Sequence, residues 1–436
     1  MIRYYVWMGA RSLRKNPVLS ALMIVGIALG IAACMTSLSV FHAMGSDPIP
    51  WKSSQLHYVQ LDNWDPNGAF TEPNEPPNQV TYRDAVALME AGKADRQAAM
   101  FRVLMPLRPE RREVKPFLAV GRATGADFFP MFEPPFRFGG PWSKSEDEQH
   151  ARIAVLSRET NEKLFGGENS VGKRVRVKDV EYSVVGVLDE WRPRVKFYDV
   201  VGSAPFDDPE ELYIPYSTAV EINLGTVGSN SCWQTVPAGR DAYLASECVW
   251  QQLWVQLGTP ARLSEYTTFL NNYVEEQKKL GRFQRPLNNR LYDVNDWLAN
   301  QKVVSRDVQI QVGLAFAFLG VCLVNTIGLL LAKFMRRSGE IGLRRALGAS
   351  RLQIFAQHLI EAAVVGLSGG AIGLCLTGLG LWMIRRLDDG LKNVTHLDGP
   401  MIASAVALSL LAALLAGLYP TWRACRVPPA LHLKTQ

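Results

Sequence analysis

The sequence predicts an α-helical membrane protein with a large mixed α+β domain inserted after its first helix. The chain contains four long uncharged apolar runs, and each exceeds the roughly 18–20 residues that a helix needs to cross the hydrocarbon core. Strand and helix patterns alternate between the first and second runs. Basic residues gather beside the runs, which is the asymmetry that orients membrane helices.

The average composition hides this organisation. Of the 436 residues, 48% are hydrophobic and 20% charged, the mean hydropathy is zero and the formal net charge is +6. This apolar and aromatic content excludes a disordered chain. No basic patch is interleaved with stacking aromatics, so nucleic-acid binding is not predicted.

The predicted membrane helices lie in segments 16–45, 308–332, 353–384 and 399–422. Within the first, Ile31-Ala-Ala-Cys34 resembles a lipoprotein cleavage box. However, the apolar region of a signal peptide is only about 7–15 residues long, and this run continues past the cysteine. An uncleaved helix, extended by a stalk, is therefore predicted.

Basic residues are in excess in the N-terminal stub 1–15, the loop 333–352 and the tail 423–436. The inserted segment 46–307 has a net charge near −5, and the short loop 385–398 is neutral. Segments rich in Lys and Arg stay in the cytoplasm. Both termini and the basic loop are therefore predicted inside the cell, and the inserted domain outside it.

Within the inserted domain, period-two and period-3.6 patterns predict strands at 56–61, 101–107, 114–123, 153–156, 174–177, 181–188 and 249–257, and helices at 81–91, 159–165 and 262–280. The segments 62–79 and 133–149 are predicted loops. A helix beginning near Asn295 is expected to run straight into the second membrane helix.

Two cysteines, Cys232 and Cys248, lie in the inserted domain, sixteen residues apart. An oxidising compartment favours a disulfide between them, which would stabilise the domain by about 3 kcal/mol on the loop-entropy model. Two buried thiols are the alternative. The other four cysteines lie in or beside membrane helices and are expected to pack as small apolar residues.

Two patterns resemble enzyme motifs but lack features that those motifs require. Gly167–Lys173 resembles a phosphate-binding loop, but Arg174 occupies the place of the hydroxyl residue that would bind Mg²⁺. Gly366–Gly370 has the spacing of a nucleophile elbow, but it lies inside a predicted membrane helix. The six histidines are scattered. The sequence therefore predicts a non-catalytic subunit without its own metal or cofactor.

The most informative stretch lies in the basic loop. Glu340–Leu347 is predicted to be a short helix with a favourable Glu340–Arg344 pair at i,i+4. Gly348 suits the left-handed position that ends a helix, and Ser350 with Gln353 forms a capping box for the next. The sequence predicts a rigid helix joined by a tight turn to the third membrane helix. An ordinary amphipathic surface helix is the alternative.

This loop resembles the motif of the FtsX/MacB family of permeases, in the type VII ABC superfamily. Asn16-Pro17, the stretch 154–188 and Tyr419-Pro420 are also similar to family patterns. The resemblance implies a coupling helix that docks on an ATPase, formed by Glu340, Ile341, Gly342, Leu343, Arg344, Arg345, Leu347, Gly348, Ala349, Ser350 and Arg351.

The resemblance also implies a MacB-like periplasmic core domain with two subdomains. The porter would combine about 50–120 with 240–300, and the Sabre would be about 121–239. The sequence has no Walker A motif. The ATPase, with its ATP and Mg²⁺, is therefore expected to be a separate chain.

The function implied by the resemblance is mechanotransmission in a bacterial inner membrane. ATP hydrolysis would move the periplasmic domains and drive efflux of an antibiotic, peptide or siderophore-like molecule. A second permease, identical or different, a periplasmic adaptor and an outer-membrane duct are the implied partners. The alternatives are lipoprotein release, as in LolC/LolE, and FtsX-like signalling to cell-wall hydrolases. No motif names a substrate.

Small residues spaced by four predict helix contacts at Gly26, Gly30, Gly366, Gly370 and Gly373. Glu361 is a carboxylate within the third membrane helix, and an intramembrane carboxylate is a candidate functional group. At its depth it can pair with the basic loop or extend to the membrane surface, which favours a structural role.

Overall fold

Five stretches are described by the computed structural model: 16–109, 115–236, 238–336, 338–387 and 399–425. They form two compact units. The helical unit comprises the chain up to Ser46 and from Val304 onward, and the sheet unit comprises Asp47–Val303. The predicted stub 1–15 lies outside the described residues, as does most of the predicted short loop and tail.

In chain order, the helices are α1 (Pro17–Gly45), α2 (Tyr82–Ala91), α3 (Phe128–Phe132), α4 (Lys144–Glu148), α5 (Arg158–Phe165), α6 (Tyr216–Glu221), α7 (Arg240–Leu244), α8 (Pro260–Lys279), α9 (Val294–Asn300), α10 (Arg306–Arg336), α11 (Ser338–Ala346), α12 (Arg351–Leu387) and α13 (Gly399–Cys425). Of these, α1, α10, α12 and α13 are long and apolar enough to cross a membrane. The sheet unit therefore lies between the first and second membrane helices, as the sequence predicts.

The strands are β1 (Leu56–Gln60), β2 (Val80–Thr81), β3 (Arg96–Arg108), β4 (Phe117–Thr124), β5 (Phe136–Gly139), β6 (Ile153–Leu156), β7 (Arg174–Val177), β8 (Val180–Leu188), β9 (Leu212–Pro215), β10 (Val249–Gln256) and β11 (Arg290–Asp293). They form one mixed sheet in the order β11-β1-β10-β3-β4-β9-β6-β8-β5, with β2 beside β10 and β7 beside β3 and β8. The pairs β4–β9 and β6–β8 are parallel.

Strand β10 lies inside this sheet, between β1 and β3, and all eight of its residues are buried. Successive side chains of a strand point to opposite faces. Accordingly, Leu253 and Val255 pack in a cluster with Tyr266 and Leu270 of α8. Trp254 packs in a second cluster with Trp297 and Tyr58, so apolar layers cover both faces of β10.

Hydroxyl caps and left-handed residues define several helix ends. The side chains of Thr81, Ser157 and Thr259 accept hydrogen bonds from the first turns of α2, α5 and α8. Gly92 and Gly166 end α2 and α5 with φ of 59° and 74°, a conformation that glycine adopts without a Cβ penalty. Such helix ends depend on nearby residues and can be predicted from the sequence.

The prediction of a loop at 133–149 is wrong, because this segment contains β5 and α4. Helix α4 is short, but Ser143 and Glu146 form a complete capping box at its start. Strand β5 exists through pairing with β8, a contact with residues more than forty positions away. Local turn composition could not predict that pairing.

The continuous stalk helix expected from Asn295 is also wrong. Helix α9 ends at Asn300, and Lys302 has a left-handed φ of 52°. The Val303 amide donates to the Leu298 carbonyl over 3.1 Å, which is the closing bond of a Schellman motif. The membrane helix α10 then begins afresh at Arg306.

Glycines allow close helix contacts in the helical unit, and α12 uses two faces. A Cβ at Gly370 would lie 2.6 Å from the Ser409 Cβ of α13, whereas one at Gly373 would lie 3.0 Å from the Ala28 oxygen of α1. A Cβ at Gly30 would lie 2.7 Å from the Leu319 Cδ1 of α10. At Gly26 an added Cβ would meet no heavy atom within 4 Å, so its predicted packing role is not observed within the described residues of this chain.

Replacing Gly366 by valine should lower the melting temperature of the purified chain by several degrees. Its Cβ would collide with Ala413 of α13, and overpacking of this kind costs about 1–3 kcal/mol. Gly320→Val is the matched control, because a Cβ there meets nothing within 4 Å. Fluorescence-detected size exclusion after heating measures the melting temperature of each variant. Equal melting temperatures of the two variants would contradict the packing assignment.

Candidate functional site

The candidate site is the segment that joins the second and third membrane helices. Helix α11 carries the expected pair, with Arg344 Nη2 donating to Glu340 Oε1 over 2.8 Å. Gly348 has a φ of 99°, and the Ala349 amide donates to the Arg344 carbonyl over 3.0 Å. The chain therefore turns through a Schellman-type ending.

The next helix begins with the capping box expected from the sequence. The Ser350 amide donates to Gln353 Oε1 over 3.0 Å, and the Gln353 amide donates to Ser350 Oγ over 3.2 Å. Arg344 also donates to Gln357 Oε1 of α12 over 3.0 Å. A tight turn and a side-chain bridge thus tie α11 to the third membrane helix.

The two faces of α11 differ. Ile341 is buried in the apolar cluster of the helical unit. Leu343 and Leu347, spaced by one helical turn, are 61% and 79% exposed, and the nearby Leu352 is 75% exposed. The side chain of Arg345 lies outside the described part of the chain. An exposed apolar group on a helix anchored from its other face is suited to contact a partner protein.

A buried ion pair anchors the same region to the second membrane helix. Lys333 Nζ of α10 lies 2.6 Å from Glu361 Oε1 of α12, and both side chains are buried. His358 Nδ1 lies 3.5 Å from the other carboxylate oxygen. Of the two expectations for Glu361, pairing with the basic segment is the one observed. Removing one partner of a buried pair leaves an unpaired charge, so this contact joins α10 to α12 firmly.

The sheet unit contains a buried charged network that sequence reasoning missed. Arg122 of β4 bonds to the carboxylates of Asp199 and Glu210, and its Nη1 donates to Gln252 Oε1 of β10 over 2.9 Å. Lys196 Nζ lies 2.9 Å from Glu210 Oε1. Two cations and two carboxylates therefore balance, and they connect β4, β10 and the segment before β9.

Burial shapes the acid–base properties of this network. Burial opposes ionisation of Glu210 and Asp199, but Arg122 and Lys196 overcome it and hold the pKa of both carboxyls below their usual range. Tyr198 donates to Glu210 Oε2 over 2.9 Å, and burial raises the pKa of its hydroxyl well above the usual value. The opposite charges pair with one another, which is the arrangement of a structural network, although Arg122 Nε has no hydrogen-bond partner among the described residues.

Cys232 and Cys248 are joined by a disulfide in the sheet unit, with Cα atoms 4.2 Å apart. Beside it, Ser231 and Val249 exchange two backbone hydrogen bonds. The bond thus connects the loop before α7 to the residue that precedes β10.

Peptide mass spectrometry of the purified chain without reducing agent should recover Cys232 linked to Cys248. Reduction should expose the loop before α7 to proteolysis, because a closure of this length contributes about 3 kcal/mol on the loop-entropy model. Cys375→Ser, at a cysteine in α12 that is outside the disulfide, is the control. Two alkylatable thiols at 232 and 248 would contradict the bond.

Four candidate membrane helices, a mixed α/β domain after the first and a capped helix before the third define an integral membrane protein with a large inserted domain. Residues 20–266 match the family described as the MacB-like periplasmic core domain. Residues 312–429 match the FtsX-like permease C-terminal family. The chain belongs to the MacB/FtsX family of ABC transporter permeases, whose members work with ATPases.

The chain is similar to the macrolide export ATP-binding/permease protein MacB of Rhodopirellula baltica, with 26% identity over 442 residues. It is also similar to the pyoverdine export ATP-binding/permease protein PvdT of Pseudomonas syringae pv. syringae, with 23% identity over 431 residues. Each alignment covers 96% of this chain, which spans 60% and 57% of the two relatives. The crystal structure of the periplasmic region of MacB from Actinobacillus actinomycetemcomitans is 15% identical, with a TM-score of 0.37, over 59% of this chain and 96% of that one.

Proposed function

We propose that this chain converts ATP hydrolysis by a separate ATPase chain into movement of its sheet unit on the periplasmic side, and thereby drives efflux. The observation that carries the proposal is the two-faced helix α11. Ile341 is packed within the helical unit, while Leu343 and Leu347 remain exposed. An ATPase that contacts these leucines would act on an element tied to both α10 and α12.

The contacts around α11 suit the transmission of movement. The Arg344–Gln357 hydrogen bond joins α11 to α12, and the Lys333–Glu361 pair joins α12 to α10. Packed helices with specific polar contacts move as bodies and change between discrete arrangements. Displacement of α11 would therefore move α10 and α12, the membrane helices that flank it in the sequence. The sheet unit directly precedes α10 in the chain, so movement of α10 would act on the sheet unit.

The membrane helices support movement without a polar path through the bilayer. Within the described residues of the helical unit, the buried acidic, basic and imidazole side chains are Lys333, Glu361 and His358, all on the parts of α10 and α12 nearest to α11 in the sequence. A hydrophilic substrate crossing the membrane interior would need polar groups along its route. A substrate handled on the periplasmic side needs none, which is the arrangement proposed for this chain.

The proposed complex has two permease chains, identical or different, and two ATPase subunits holding ATP and Mg²⁺. Both chain termini and α11 lie in the cytoplasm, consistent with the basic residues around them. A periplasmic adaptor and an outer-membrane duct would complete the export path. The printed names of the relatives, macrolide and pyoverdine exporters, support a substrate of antibiotic, peptide or siderophore type.

Affinity purification of the full chain in mild detergent, with partners identified by mass spectrometry, tests this function. Recovery of an ABC ATPase and a periplasmic adaptor is expected. An ATPase with a lipoprotein carrier would move the function to lipoprotein release, and one with a cell-wall hydrolase would move it to signalling. Absence of any ATPase from a preparation that retains the second permease would contradict the proposal.

A further inference from the structure

The sheet unit contains a cavity of about 730 Å³ bounded by α2, α4, α6 and α7. Cavities of about 300–1,000 Å³ hold drug-sized ligands, so the volume suits a small molecule. Residues of the predicted porter (α2 and α7) and of the predicted Sabre (α4 and α6) both line it.

One part of the lining is apolar and aromatic. The rings of Tyr82 and Tyr216 are stacked with centroids 6.4 Å apart and planes 11° from parallel. Val86, Met89 and Val220 add aliphatic surface. The side chains of these five residues are partly exposed, so a flat apolar body could displace water from them and gain hydrophobic contact.

The other part of the lining is acidic. The lining has two cationic side chains, Lys144 and Arg240, and one imidazole, His150, whose Nδ1 lies 3.3 Å from Glu221 Oε2. It also has six carboxylates, which are Glu90, Asp127, Asp147, Glu148, Glu221 and Asp241. Lys144 lies 2.8 Å from Asp127, and Arg240 donates to the backbone carbonyls of Glu221 and Val220. The cavity therefore has an excess of negative charge, and clefts lined by one sign of charge attract ligands of the other.

Two polar side chains in the lining are poorly compensated for their burial. Gln97, which lines the cavity, is only 7% exposed, and its Oε1 has no hydrogen-bond partner among the described residues. Buried amide oxygens are nearly always hydrogen-bonded. Burial also raises the pKa of Asp147 although Ser217 donates to it, so this carboxylate is poorly solvated. Both groups would gain from a ligand that donates hydrogen bonds or carries positive charge.

From this lining we infer that the cavity binds a small cationic amphiphile, with its apolar body against Tyr82 and Tyr216 and its cationic group among the carboxylates. Tyrosine faces also attract cations directly. The inference adds a substrate class to the proposed function and rests on that function only in treating the ligand as cargo. Binding itself requires neither ATP nor a partner.

Ethidium, a cationic aromatic dye, is the probe, and anilinonaphthalene sulfonate, an anionic aromatic dye of similar size, is its counterpart. Each is titrated by fluorescence onto the full chain in phosphatidylcholine nanodiscs, with empty nanodiscs subtracted. Ethidium should bind at least tenfold more tightly, and its affinity should fall as salt screens the carboxylates. Equal affinity of the two dyes would overturn the inference.

Glu90→Gln together with Glu148→Gln should weaken ethidium binding about fivefold, which lies within the range for the loss of two exposed charges. Glu265→Gln with Glu276→Gln is the matched control, since these glutamates are exposed on α8 outside the cavity lining. Val220→Trp should fill the cavity and weaken binding at least tenfold. Unchanged binding in Val220→Trp, or equal loss in the two double variants, would overturn the site.

This assay contains no ATPase, so its failure would leave the proposed function intact. Conversely, the chain could bind ethidium although no ATPase co-purifies with it. That result would support the cavity as a ligand-binding site and contradict the proposed transporter function.

Discussion

Replacing Arg122 by methionine should destabilise the sheet unit by about 3–5 kcal/mol, the usual cost of removing one partner from a buried ionic network. Arg122 is fully buried and holds Asp199, Glu210 and Gln252 together. Methionine has a similar length but no charge. The carboxylates would be left with Lys196 alone, in an interior where an unpaired charge is strongly unfavourable.

Hydrogen exchange of the full chain, read on peptides from β4 and β10, measures this effect. Each loss of about 1.4 kcal/mol accelerates exchange tenfold where exchange reports local stability, so a change of more than 100-fold is expected. Arg102→Met is the control, because Arg102 pairs with Arg122 across the strands but is only partly buried and bonds to a backbone carbonyl.

Adding Glu210→Gln to Arg122→Met should restore part of the protection, since it removes one of the orphaned charges. Equal exchange in Arg122→Met and Arg102→Met would contradict the structural importance of the network.

The same network predicts an acid transition. The pKa values of Asp199 and Glu210 are depressed in the folded chain. Their stabilisation is therefore fully present above the unfolded-state pKa values of about 4 and is lost as pH falls through the folded values. Protection of β4 and β10, corrected for the intrinsic exchange rate at each pH, should therefore fall below about pH 4. Stability that rises on acidification would contradict the sign.

Leu347→Asp should abolish coupling between ATP hydrolysis and transport, with at least a tenfold loss of activity. Leu347 is 79% exposed at the end of α11, so the substitution costs the isolated chain little. At a docked interface the aspartate would be desolvated beside apolar surface, which is strongly unfavourable. Glu340→Ala and Arg344→Ala should weaken coupling less, because they loosen the helix without placing a charge in the contact.

Leu280→Asp is the matched control, since Leu280 is 73% exposed in the sheet unit. ATP hydrolysis and export are measured together in proteoliposomes after the level of inserted protein is matched. Full coupling in Leu347→Asp would contradict docking through α11. Loss of membrane insertion instead of coupling would place the leucines against lipid and restore the alternative of an ordinary surface helix.

Features written in consecutive residues could be predicted from the sequence. The four membrane helices follow from long uncharged runs, because the bilayer admits little else. The ending of α11 follows from Gly348 and the start of α12 from Ser350 and Gln353, whose side chains bond within one turn. Glu361 is a candidate because a carboxylate in an apolar run needs a partner, although the sequence alone does not decide which partner it has.

Features that depend on distant partners could not be predicted. Strand β9 is only four residues long and is held between β4 and β6, so it has no pattern of its own. Arg122 resembles any polar residue of a half-exposed strand until Asp199 and Glu210 are brought beside it. Gly26 and Gly30 share one spacing, yet only Gly30 meets another helix, because spacing does not tell which helix face is covered.

Site-specific photo-crosslinking tests the central claim most directly. Benzoylphenylalanine is placed at Leu347 of α11 or at Leu280 of the sheet unit, and the irradiated products are identified in intact cells. The account predicts that an ABC ATPase is captured from position 347 and that position 280 captures periplasmic proteins only. Capture of the ATPase from position 280, or its absence from position 347 in cells where the two proteins co-purify, would contradict the account.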